Sequence, residues 1–411
     1  MMVSTTPARG GSARVFGLDL LRAIAVLSVL AGHSLDHGKA PVWMVRYIAP
    51  LAVYGVEIFY VLSGFLIGHI LLRSVASGKL HNPTDILDFW KRRWARTLPL
   101  YMFFLLVYLR FDYHGPGDLR QVWSFFAFLQ NFAWQIPPFF THSWSLAVEE
   151  WFYLLLPVVF LTFHWLLKSD GKAIFATALV FLLVPLASRL VIGHHLTDWP
   201  GYDGYIRQTV VCRLDSIFMG VLCAYMRIHY PGFFERSVKF WWVGFGLFAL
   251  LYMILSVIHY FNPASAWAQA AYLPLLSFSI ACMVPAASKL RSTGLSVLDV
   301  FISHTSKVSY SLYLGHISML TLVLGIMDQF GWVADSLHRT ALLYIALAIF
   351  YYAFANLTYL LVEQPYIKLR DVRMGHSDVR SGNVAIAVGS PDPAGQPVPE
   401  LGLLVAEPDH S

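Results

Sequence analysis

Apolar runs of about twenty residues recur along nearly the whole chain, separated by short polar connections. That length is what an α-helix needs to cross a bilayer. Lipid offers backbone groups no hydrogen-bond partner, so a spanning chain must satisfy them internally, as helices or as a closed barrel. Barrels show alternating segments of about ten residues, not long continuous runs. Composition points the same way. Of 411 residues, 57% are hydrophobic and 13% charged, where a soluble domain carries about 25% charged. The fold class expected is an all-α polytopic membrane protein, a bundle of about ten transmembrane helices with both termini cytoplasmic.

The candidate spans centre on 16–36, 48–72, 97–111, 145–167, 173–193, 207–227, 240–260, 268–288, 308–328 and 340–362. The third is short. A further run, Val122–Phe132, is brief, aromatic and followed by Pro137 and Pro138, and reads as interfacial or re-entrant. Orientation follows from basic residues near the span ends. Arg9 and Arg14 precede the first span, and Arg73, Lys79, Lys91, Arg92, Arg93 and Arg96 lie between the second and third. Lys168 and Lys172 follow the fourth, Arg227, Arg236 and Lys239 the sixth, Lys289, Arg291 and Lys307 the eighth, and Lys368, Arg370 and Arg373 the tenth. Ten spans put all of them on one side and leave the other loops poor in Lys and Arg. The domains expected are a cytoplasmic N-terminal segment 1–15, a transmembrane domain 16–370 and a cytoplasmic tail 371–411. The tail is rich in Gly, Pro and Ser and reads as disordered.

The net charge of +5 belongs to these topology-setting connections and is not a nucleic-acid signal. Cys212, Cys223 and Cys282 all lie in apolar runs, with no CxxC and no Cys/His cluster, so no metal site is expected. The first run carries Arg22 and lacks a small-residue cleavage site, so it is read as a retained span.

Ionisable residues inside the runs are the chemical signal, because a charge there must face protein or a wet cavity. Arg22 and His33 stand eleven residues apart in GLDLLRAIAVLSVLAGH. On a helix that is about three full turns, so they share a face, separated by roughly 16 Å. Glu57 interrupts the second span, Glu149 and Glu150 the fourth, Arg213 and Asp215 the sixth, His316 the ninth, and Glu363 closes the tenth.

With these residues in place the chain resembles the acyltransferase-3 family of integral-membrane O-acyltransferases, from about Phe16 to Arg370. The resemblance rests on the arginine-ten-residues-histidine spacing, GVEIFYVLSGFLI, RRWARTLPLY, SWSLAVEEWFYLLLP, the R-x-D-S-x-x-x-G pattern at 213–220, SYSLYLGH and the closing VEQP, in family order. Two departures stand out. Glu57 replaces the more usual aspartate, and Gly315 precedes His316 where an aromatic is usual. The resemblance implies a bacterial inner-membrane enzyme that uses cytoplasmic acyl-CoA, read as acetyl-CoA, as co-substrate, with no permanently bound cofactor. The partner on the other side is a carbohydrate or glycoconjugate hydroxyl.

Candidate roles follow. Arg92, Arg93, Arg96 and Trp94 would grip the anionic donor, although a basic topology loop gives the same pattern. His33 is the candidate base, since imidazole titrates near the working pH and a hydroxyl needs a base to become a nucleophile. Arg22 would bind donor phosphate, stabilise the thioester oxygen, or anchor an acid such as Glu57. Glu149 and Glu150 point about 100° apart on a helix, so one serves the site and the other the fold, with Glu149 favoured. Glu57, Arg213, Asp215 and Glu363 read as a supporting polar core, with His316 between support and chemistry. Trp144, Tyr313 and the Trp123–Trp134 aromatics are candidate contacts for sugar rings, or an interfacial belt. Transfer through a covalent intermediate and direct attack on the thioester both fit this arrangement. Two rival readings are a secondary transporter of a glycan precursor or small solute, which would move solute without consuming acyl-CoA, and an envelope assembly protein, which would need neither His33 nor the arginines.

Overall fold

The structure, a computed structural model, describes residues 15–37, 40–80, 83–111, 119–257, 262–331 and 337–373. Most of the N-terminal segment 1–15 and most of the tail 371–411 lie outside them, and with them the expectation of disorder. Every regular element among the described residues is helical. In chain order the α-helices are α1 (Phe16–His37), α2 (Val42–Ile48), α3 (Leu51–Ala76), α4 (Pro83–Phe111), α5 (Leu119–Phe126), α6 (Trp144–Leu167), α7 (Asp170–Gly193) and α8 (Trp199–Tyr202). Then come α9 (Leu214–His229), α10 (Pro231–Arg236), α11 (Trp241–Tyr252), α12 (Leu273–Lys289), α13 (Ser296–Gln329), α14 (Leu337–Thr358) and α15 (Gln364–Arg373).

Eight helical stretches among the described residues are long and apolar enough to cross a bilayer. They coincide with eight of the ten expected spans. The other two fall on α4 and α9. The 29 residues of α4 are long enough, but the basic run occupies their first half. The sixth expected span is helical only from Leu214, in a helix of 16 residues. Upstream, Asp203–Arg207 form a π-turn and Val210–Cys212 a 3-10 turn. There the amides of Val210 and Val211 donate to the carbonyls of Asn131 and Phe132 (3.0 and 3.1 Å). Apolar composition alone does not reveal such irregular backbone, which is satisfied by protein rather than by its own helix. The run at 122–132 holds the eight-residue α5 and then turns, too short for a crossing.

The helix α3 is central, packing along α1 and α9. Its contact with α9 is backbone to backbone. A Cβ on Gly64 would meet the Ile217 carbonyl oxygen at 1.8 Å, and one on Gly220 would meet that of Val61 at 2.0 Å. Small residues permit this approach where helices associate by close packing. The other face of α1 meets α13, α6 packs on α3, and α4 packs on α6 and α13. These five helices, α1, α3, α4, α6 and α13, carry most of the polar side chains described next.

Candidate active site

One end of this group is a cluster of imidazoles. Packing of α1 against α13 sets His33 Nδ1 2.8 Å from His316 Nε2, with the rings nearly parallel and 5.0 Å apart. His316 Nδ1 lies 2.6 Å from the Tyr313 carbonyl oxygen. A carbonyl only accepts, so His316 Nδ1 carries the proton and its Nε2 accepts. His33 Nδ1 is therefore the donor to His316. In the neutral ring, the His33 lone pair then resides on Nε2, the nitrogen suited to act as a base.

A third imidazole, His142, lies 5.5 Å from the His316 ring. Its Nε2 donates to the Leu314 carbonyl at 3.2 Å, and its Nδ1 has no hydrogen-bond partner among the described residues. Tyr313 ties the cluster together. Its hydroxyl donates to the His142 carbonyl at 3.0 Å and accepts from Ser145 Oγ at 2.6 Å. No group of three His, Cys, Asp or Glu among the described residues is arranged to hold a metal ion.

The imidazoles open on a cavity of about 560 Å³, within the range of small-molecule sites. His33, His142 and Trp144 line it, with Arg46 from α2 and Asp203, Arg207 and Gln208 from the π-turn and the residue after it. Tyr313 is not among the lining residues and acts beneath it through His142 and Ser145. The Arg207 guanidinium lies over the Trp144 ring, 4.7 Å from its centroid, and pairs with Asp203. Trp123 and Trp134 are exposed and take no part in the lining. Beside His316, the space an aromatic at Gly315 would occupy is taken by Phe354 and Phe104, since a Cβ there would meet them at 2.9 and 3.2 Å. The glycine therefore does not widen the pocket.

Arginines and carboxylates gather at the other end. Arg22 reaches Asp19 Oδ1 and Ser306 Oγ, each at 3.3 Å, and Ser306 donates to Asp19 at 2.6 Å. Arg93 turns inward. It donates to the Tyr153 hydroxyl at 2.6 Å and lies 3.6 Å from Glu149 Oε2. Glu149 also accepts from Tyr153 at 2.9 Å and from Ser63 at 3.2 Å. Glu150, one residue on, turns toward Thr97 and Trp94 on α4. Arg92 is half-buried, and Trp94 stacks on Trp90 with ring centroids 6.0 Å apart. Half-buried Arg96 has no hydrogen bond or ion pair to protein among the described residues and feels Arg93, Arg22, Arg370 and Glu363. Glu363 accepts from Ser311 at 2.9 Å.

Of the supporting polar core, Glu57 is one possible partner of Arg22 on the sequence alone. Glu57 is paired with Arg213, not with Arg22, and accepts from Ser277 at 2.8 Å. Asp215 pairs with Arg189 at 2.7 Å. Two residues apart on one helix point away from each other, so Arg213 and Asp215 find partners on different helices. Arg189 was not singled out in the sequence, although a lone arginine inside the run VFLLVPLASRL is itself a signal. His142 heads the run HSWSLAVEEWFYLLLP, but the sequence gives it no role of its own. Asp203, Arg207 and Gln208 carried no motif at all.

A family model described as "Acyltransferase domain" (acyltransferase-3) matches residues 15–361. The chain is similar to the O-acetyltransferase OatA of Staphylococcus aureus (strain NCTC 8325 / PS 47), 28% identical over 333 residues, which cover 75% of this chain and 51% of that protein. It is also similar to a putative O-acetyltransferase of Staphylococcus aureus (strain COL), 27% identical over 337 residues with the same coverage. The chain spans about half the length of the curated relatives it matches. No solved structure matches it.

Proposed function

Because this chain belongs to the acyltransferase-3 family, we propose that it is an integral-membrane O-acyltransferase of the bacterial inner membrane, moving an acetyl group from cytoplasmic acetyl-CoA to a carbohydrate hydroxyl on the opposite side. The observation that carries this reading is the hydrogen-bonded series His33–His316–Tyr313 carbonyl, open on a cavity and set on the same helix as Arg22.

On the expected topology, with both termini cytoplasmic, the Arg22 end would face the cytoplasm. Donor phosphates are received there by Arg96 and Arg22, with Arg92 at the rim. Arg93 is committed to Glu149 and positions it. Arg22 stands roughly 16 Å along α1 from His33, so it serves the phosphates and not the thioester oxygen. The extended pantetheine arm between them carries the thioester toward the imidazoles. There His33 Nε2 takes the proton of the acceptor hydroxyl as its oxygen attacks the thioester carbonyl. The C–S bond then breaks, and the imidazolium returns its proton to the departing CoA thiolate. His316 holds His33 in the required tautomer throughout. No cysteine is among the described residues lining the cavity, so a cysteine thioester has no candidate nucleophile there, and direct attack is the step proposed.

The test uses purified protein with acetyl-CoA and candidate glycans, following free CoA and acylated product by mass spectrometry. His33→Ala is expected to lose about 10²–10⁴-fold in transfer with an unchanged unfolding temperature. Near-normal turnover in that variant removes His33 from the mechanism.

A further inference from the structure

The cavity beside His33 has an unbalanced charge lining. Asp203 is the carboxylate that lines it, and both of its oxygens are engaged, Oδ1 by Arg207 Nε and Oδ2 by Gln208 Nε2. Arg207 is itself 12% exposed, pinned through Nε by Asp203 and across its face by Trp144. Its Nη groups make no hydrogen bond to protein among the described residues. A guanidinium fixed in this way presents the remaining edge of its planar fork to the cavity, and that edge matches two oxygens of a carboxylate or phosphate. A second cation, Arg46, lines the same cavity and has no carboxylate partner among the described residues. With Asp203 engaged by Arg207, the lining carries two guanidinium groups against one carboxylate, an excess of one positive charge, with Arg207 half-buried and Arg46 exposed on α2.

We propose that Arg207 and Arg46 receive an anionic group of the acceptor, a carboxylate or a phosphate, so that the acylated hydroxyl belongs to an acidic saccharide. The proposal rests on the cavity being the acceptor site. Trp144 is buried and holds the guanidinium in place at the cavity.

Binding decides it without relying on turnover. Methyl glucoside, methyl glucuronoside and methyl glucoside 6-phosphate are titrated against the purified full chain by calorimetry. At least one anionic probe is expected to bind about tenfold or more tightly than the neutral one, with affinity falling as salt rises. A carboxylate preference points to an acidic sugar, and a phosphate preference to a phosphorylated glycan. Arg207→Lys, which keeps the charge but loses the fork, is expected to reduce that preference. Arg46→Gln, on the exposed α2, does the same should the buried site fail to fold. Equal affinity for the three probes, no binding at all, or a preference untouched in both variants overturns the proposal. Loss of acyl transfer with every acceptor would instead overturn the enzymatic reading and leave this binding difference standing.

Discussion

At the residue scale, His316 stands between His33 and a main-chain carbonyl, so it decides which nitrogen of the neutral His33 ring keeps its lone pair. His316→Ala is expected to lower kcat by at least about tenfold, approaching the His33→Ala loss, while KM for acetyl-CoA stays put. Steady-state kinetics that show an unchanged kcat would make His316 a packing residue only. Arg96 makes the opposite prediction. It is the cation of the basic cluster with no bonded protein partner among the described residues, so Arg96→Ala should raise KM for acetyl-CoA about tenfold or more with kcat largely kept. Donor titrations with purified variants check this. The sequence placed Arg22 and His33 on one helix, because spacing along a helix is a local property. It did not disclose that His33 meets a residue 283 positions away, or that His142 stands nearby. Such pairings are made by tertiary packing, and no spacing encodes them.

At the element scale, three helices are tied by one buried group of polar side chains. Glu57 on α3 meets Arg213 at the start of α9 and Ser277 on α12, and Arg213 also donates to Ser216 at 3.0 Å. Removing one partner of a fully buried pair strands the other charge and costs about 3–5 kcal/mol. Glu57→Gln is accordingly expected to lower the unfolding temperature in detergent markedly, and Glu57→Asp much less. Equal stability of all three proteins would show that the pair contributes nothing to helix association. Eight of ten expected spans were legible as long apolar runs, because length and hydrophobicity suffice for a straight helix. The stretch before α9 was misread as helix. It begins with the polar residues Arg207, Gln208 and Thr209, its backbone is held by the carbonyls of Asn131 and Phe132, and Arg207 and Gln208 turn to the cavity.

At the scale of the whole molecule, the proposed donor end and acceptor end are joined through α1, α3, α6 and α13. The family and the all-helical architecture were legible in the chain, since ordered motifs and apolar runs both survive in one dimension. The cavity was not, because α1, α2, the Thr141–Trp144 turn and the Trp199–Gln208 segment each give it only a few residues. Transfer from one side of the membrane to the other is the central claim. Its most direct test is a sided one, in proteoliposomes of uniform orientation, with labelled acetyl-CoA confined to the face bearing Arg96 and the glycan acceptor confined to the face bearing His33. The account predicts labelled glycan on the acceptor side, free CoA on the donor side, and neither from His33→Ala. Product formed only when donor and acceptor share one compartment would contradict it.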